Sequence, residues 1–192
     1  MQRSNSKRVA RVLPFVDMLL MLLIVALALV NPPTTDGIIT PRPIAILTAE
    51  WDPLVYSDVD LHLITPDGQH ISFVSKDGEH TLLTKDDLGY VPLSGEEHLE
   101  VPWNAEVVEF NLLLPGTYLV SLHNYNARKH DLVVVTLDFI MTDPYSKVIT
   151  HTITLDQDKQ EKAVFSFVVN DKGQIVSVDT NVDFKILNRR DR

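Results

Sequence analysis

Nineteen consecutive residues, 12–30, read VLPFVDMLLMLLIVALALV and contain one charged side chain, Asp17. As an α-helix rising 1.5 Å per residue, this run would be ~28 Å long, about the thickness of a bilayer's hydrocarbon core. Pro14 falls in the first turn, where a missing N–H does no harm. Asn31-Pro32-Pro33 stops the helix, because proline cannot continue it. The sequence therefore predicts a single membrane-spanning helix over 12–30. A cleavable signal peptide competes on the basic lead and an A-x-A match at Ala26-Leu27-Ala28. The apolar run continues past that match, is longer than a usual signal core and carries an acid, so an uncleaved span is the expectation.

Charge orients the segment. Residues 1–11 hold Arg3, Lys7, Arg8 and Arg11 and no acid, whereas residues 31–192 carry 13 basic and 25 acidic groups. By the positive-inside rule the arm 1–11 is cytoplasmic and residues 31–192 lie outside. The whole chain of 192 residues carries a net charge of -9, which argues against a nucleic-acid partner. With no cysteine, it has no disulfide, thiolate metal site or cysteine nucleophile.

A carboxylate at the centre of a spanning helix costs about 2.5–3.5 kcal/mol on insertion scales, which makes Asp17 a functional candidate. Its place near the cytoplasmic end also allows water to reach it, so depth leaves both readings open. The flanking residues Pro14-Phe15-Val16-Asp17, followed by a Met/Leu-rich run, resemble the transmembrane helix of the ExbD/TolR family, whose architecture the MotB stator subunits share. The resemblance covers about twenty residues. It implies a homodimer whose helices sit inside a pentameric, multi-span MotA/ExbB/TolQ-like partner in the bacterial cytoplasmic membrane. It also implies that Asp17 binds and releases the transported H⁺ or Na⁺.

Residues 31–43 hold four prolines and predict an extended linker, or by position a plug. Beyond it, strand patterns recur at 44–51, 59–64, 70–75, 106–114, 117–123, 132–141, 147–155, 163–169, 174–178 and 182–187. Alternation in 58–63 and 150–155 predicts strands with one face to water. Turn signals at Pro66-Asp67-Gly68, Pro115-Gly116, Asp143-Pro144 and Asn170-Asp171-Lys172-Gly173 punctuate them. No amphipathic helix of ten residues interrupts the series. The predicted fold class is a single N-terminal transmembrane α-helix plus an all-β domain over 44–192, a β-sandwich or jelly-roll-like arrangement. Glu50-Trp51-Asp52, Ser57-Asp58-Val59-Asp60-Leu61-His62-Leu63, Thr65-Pro66-Asp67-Gly68 and Leu114-Pro115-Gly116-Thr117-Tyr118-Leu119-Val120 resemble YfaP-like secreted β-sandwich modules.

Asp58, Asp60, Asp67, Asp86 and Asp87, with Asp52, form the densest acidic set. Their hard oxygens, two of them on one strand face, suit Ca²⁺. The competing reading is turn capping and solvated rim charge. The seven histidines, at 62, 70, 80, 98, 123, 130 and 151, show no metal-binding spacing, so the sequence predicts no transition-metal site. Trp51, Trp103, Tyr118 and Tyr125 offer either a sugar-stacking surface or core. Nucleophile, phosphate-loop and dinucleotide motifs are absent, and no enzyme is expected.

The leading functional expectation is the single-pass subunit of an ion-driven motor, its outer domain acting on an envelope or extracellular target. The alternative is a membrane-anchored module binding carbohydrate or protein, with Asp17 incidental.

Overall fold

A computed structural model describes residues 14–26, 42–88, 103–127 and 132–187. The chain divides into two compact units, Met1–Thr40 and Pro41–Arg192. In the first, residues 14–26 form helix α1, with Pro14 opening it as the missing proline N–H allows. Its large apolar side chains from Phe15 to Val25 are all between 52 and 66% exposed, so no apolar stripe is set apart from a polar face. No helix among the described residues is long and apolar enough to cross a membrane. Residues 12, 13 and 27–30 of the apolar run lie outside the described residues, as do the basic arm 1–11 and linker residues 31–41.

The second unit is all-β among its described residues. Ten strands follow in order: β1 (Ala45–Trp51), β2 (Asp58–Ile64), β3 (His70–Ile71), β4 (Thr81–Lys85), β5 (Ala105–Phe110), β6 (Gly116–Asn126), β7 (Val133–Thr142), β8 (Tyr145–Leu155), β9 (Glu161–Val169) and β10 (Ile175–Asp179). They make two five-stranded sheets, ordered β4-β5-β1-β7-β8 and β10-β9-β6-β2-β3. Every pairing is antiparallel.

Alternation explains the inward faces. Ala45, Leu47 and Ala49 of β1, Val135, Leu137 and Phe139 of β7, and Val59, Leu61 and Leu63 of β2 are fully buried in one core. An aromatic cluster sits at its centre. Phe110 and Phe139 of the first sheet meet Tyr118, Phe165 and Phe167 of the second, with Tyr118 and Phe167 stacked at 4.4 Å. Thus Tyr118 is core, and Trp51 is 5% exposed, whereas Trp103 and Tyr125 stand in solvent. The four aromatics do not form one stacking surface.

Gly116 opens β6 at a φ of +129°, which L side chains rarely adopt, and a Cβ there would lie 2.7 Å from Pro66 Cβ. The two turns that carry the Pro66-Asp67-Gly68 and Pro115-Gly116 signals therefore touch.

Two expectations are corrected, and one strand is new. Residues 182–187 form no strand. Ile186 and Leu187 instead donate their N–H groups to the Glu161 carboxylate at 2.6 and 3.1 Å. Strand β4, with its mixed TLLTK sequence, is an edge strand that alternation does not announce. Strand β2, predicted to wet one face, is buried on both.

Candidate metal centre

The double burial of β2 creates the polar feature of this domain. Leu61 and Leu63 face the core, so Asp60 and His62, at the alternate positions, share the other face. Register then brings in β6: Asp60 pairs directly with His123, and His62 with Ser121. Residues directly opposite on one face have Cβ atoms ~4.5–5.5 Å apart, so Asp60 and His123 must meet. His123 Nδ1 lies 3.5 Å from Asp60 Oδ2. Strand β3 adds His70, diagonal to His62, and His62 Nδ1 lies 3.0 Å from His70 Nε2.

A second carboxylate arrives from the other sheet. Glu106 alternates with Val108 and Phe110 on the inward face of β5 and is 0% exposed. Strand β3 pairs only with Leu63 and Ile64, leaving the β2 edge open at Leu61. Glu106 Oε2 fills that gap, accepting the Leu61 N–H at 2.6 Å. Asp86, just past β4, completes a carboxylate triad with Asp60 and Glu106. Its Oδ2 accepts from Lys76 Nζ at 2.7 Å.

Burial dominates the electrostatics. It raises Glu106 well above the carboxylate range, with the Asp60 and Asp86 charges adding to the effect. Asp60 is raised for the same reason, and His123 opposes the shift. Burial, with the neighbouring His70 and His123, lowers His62 to about 3, so His62 is a neutral imidazole.

Five buried polar atoms here have no hydrogen-bond partner: Asp60 Oδ2, His62 Nε2, His123 Nε2, Asp86 Oδ1 and Glu106 Oε1. Buried polar groups are normally satisfied, since leaving one unpaired costs about 1–3 kcal/mol. Two overlapping sets bring ligand atoms within 4.8 Å of one another: Asp60, His62 and His123, or Asp60, Asp86 and Glu106. His62 and His123 of the first set line a pocket of about 520 Å³, together with Phe73, Val74, Tyr125 and Leu187 among others.

No protein-family model matches this chain, and no curated protein matches it. Among solved structures it is similar to the crystal structure of the unknown function protein SAV2460. The identity is 15% and the TM-score 0.46, with 73% of this chain and 90% of that one covered. That likeness brings no function with it.

Of the acids singled out in the sequence, the structure gathers Asp60 and Asp86. Asp58 starts the same strand, buried beside them in sequence. Asp67 is committed elsewhere: it accepts from Thr65 Oγ1 and from Gln69 Nε2 within its turn, and the Thr65 hydrogen bond lowers its pKa. Asp87 pairs with Lys85 at 2.5 Å, and Asp52 accepts the Leu54 N–H. The five-acid set therefore does not assemble as one oxygen site. His62, His70, His123 and Glu106 were not singled out in the sequence. Asp60-x-His62 on one strand is the local signal that points to them; His123 becomes visible only through register.

Replacing Glu106 with Gln is expected to stabilise the metal-free domain by about 1–3 kcal/mol. The amide oxygen can still accept from Leu61, its NH₂ can donate to Asp86, and position 106 has no charge to desolvate. Urea unfolding of the variant in chelator checks this. A loss of stability would mean that the carboxyl group itself holds the edge of β2.

Proposed function

We propose that this chain is the single-pass, B-type subunit of a proton- or sodium-driven rotary membrane motor, with Asp17 as the ion-carrying group and the β-sandwich as its outer effector. One observation carries the reading: α1 presents apolar side chains on every side and a single carboxylate. A helix apolar all round belongs in a protein core or a membrane. Residues 12–30, of which α1 is the described part, supply the length. One span with one acid cannot make a channel, because the carboxylate and its water need protein walls. A multi-span MotA/ExbB/TolQ-like pentamer in the bacterial cytoplasmic membrane would supply them, enclosing two copies of α1. The apolar run has no Gly or Ser and only Ala26 and Ala28 as small residues, so helix pairing alone should be weak.

Native mass spectrometry of the detergent-solubilised chain, co-expressed with a candidate multi-span MotA/ExbB/TolQ-like protein, tests the proposal. Two copies of this chain with five of the partner are expected. A monomer without a multi-span companion would remove the motor reading.

The pocket favours a second reading, a membrane-tethered binding module. Phe73 and Tyr125 lie 6.0 Å apart, and Lys159 Nζ sits 3.8 Å from the Tyr125 ring centroid. An aromatic wall with a cation against one of its rings suits a carbohydrate or peptide ligand. In that case Asp17 substitutions leave function unchanged.

A further inference from the structure

We infer that Asp60, His62 and His123 form a three-ligand site for a divalent transition-metal ion of the Zn²⁺ class, with an open fourth position facing the pocket beside Leu187. The proposal is independent of any motor role. It rests on the three side chains being 4, 1 and 2% exposed, and on one ligand atom from each lying within 4.8 Å of the others. Asp60 Oδ2 and His62 Nε2 are buried with no hydrogen-bond partner, and His123 offers Nδ1, 3.5 Å from Asp60 Oδ2.

Separation argues for a metal over a simple ion pair. At 3.5 Å, Asp60 Oδ2 and His123 Nδ1 are too far apart for a strong hydrogen bond. Ligands of a tetrahedral ion with bonds of ~2.0 Å stand about 3.3 Å apart. The histidine pair supplies the orienting contact. If His62 donates its Nδ1–H to His70 Nε2, 3.0 Å away, His62 Nε2 keeps its lone pair for a metal. His70 is then a positioning residue.

The donor chemistry selects the ion. Ca²⁺ takes six to eight oxygens, whereas two imidazoles and one carboxylate match Zn²⁺ and related ions. Three protein ligands leave a position for water or a ligand group, as in open zinc sites. Leu187, Phe73 and Tyr125 line the pocket onto which that position opens. Because Asp60 and His62 belong to β2 and His123 to β6, the ion would also tie together two strands of the sheet near its open edge.

The test is calorimetric titration of Zn²⁺ into the untagged full-length chain in detergent, after stripping with chelator. One saturable site per chain is expected, with a rise in unfolding temperature. His62→Gln and His123→Gln, which remove a ligand outright, should each weaken binding by more than the ~10–100-fold expected of an outer-shell loss. His70→Gln should weaken it about 10–100-fold, as outer-shell losses do. His151→Gln, on β8 of the other sheet, should leave it unchanged. Co²⁺ added to the unmodified chain provides a readout that needs no variant: a tetrahedral nitrogen–oxygen site gives intense visible bands. Absence of saturable Zn²⁺ binding, or only the weak bands of octahedral Co²⁺, overturns the assignment. So does binding that Glu106→Gln abolishes while the histidine variants keep it, because the ion would then sit on the carboxylate set.

Discussion

Under the motor function proposed above, Asp17→Asn is expected to abolish ion flux while membrane insertion and assembly with the proposed partner persist. Asparagine keeps the shape of the side chain and removes a charge whose insertion cost reaches about 2.5–3.5 kcal/mol at a bilayer centre, so insertion should be no harder. It cannot cycle a proton or pair with Na⁺ as a carboxylate does. Asp17→Glu, which keeps the chemistry at a different reach, should retain part of the flux. The measurement is ion uptake into proteoliposomes containing the chain and the proposed multi-span partner, with native mass spectrometry verifying assembly. Full flux through the Asn variant would leave α1 as a tether and transfer the functional weight to the outer domain.

Phe139→Ala should cost about 3–5 kcal/mol, the range for removing a buried phenyl ring. Phe139 is fully buried, with ring centroids 5.6 Å from Phe110, 4.8 Å from Phe167 and 6.4 Å from Phe165. It is one of two rings through which the first sheet reaches the aromatics of the second. Rigid neighbours on both sides limit collapse into the space left behind, so the cavity penalty adds to the lost transfer energy. Domains are stable by about 5–15 kcal/mol, so such a loss is a large share of the whole. At roughly 2–4 °C per kcal/mol for a unit of this size, the unfolding midpoint should fall by about 10 °C. Phe139→Leu, which keeps most of the volume, should fall much less. Circular dichroism followed through thermal unfolding checks both. A shift under about 2 °C for the alanine variant would show that the two sheets are not held together through this cluster.

Much of the scaffold was legible in the residues. Val, Ile, Leu and aromatic runs bounded by Pro-Asp-Gly, Pro-Gly and Asn-Asp-Lys-Gly announced nine of the strands and an all-β unit, because a strand's period of two and a turn's backbone geometry are local properties. The signal failed where local pattern and tertiary surroundings part. Residues 182–187 alternate like a strand, but Glu161 takes the N–H groups of Ile186 and Leu187. Residues 58–63 alternate polar with apolar, which normally marks a half-wet strand. Here the polar half is buried with His70, His123 and Leu187 around it.

By itself the sequence determined the apolar segment with its lone Asp17, the two-part division of the chain and the β character of its larger part. It also placed Asp60 and His62 on one face, since i and i+2 positions of a strand cannot do otherwise. Only the tertiary structure decided what they face. His123 lies sixty-one positions beyond His62, and Glu106 comes from the opposite sheet; strand register and sheet packing, set by burial of the Phe and Leu core, put them beside Asp60. Pairing register is a long-range choice made by the hydrophobic faces as a whole. No spacing along the chain encodes it, and so a cluster of scattered histidines became a candidate metal centre only in the folded domain.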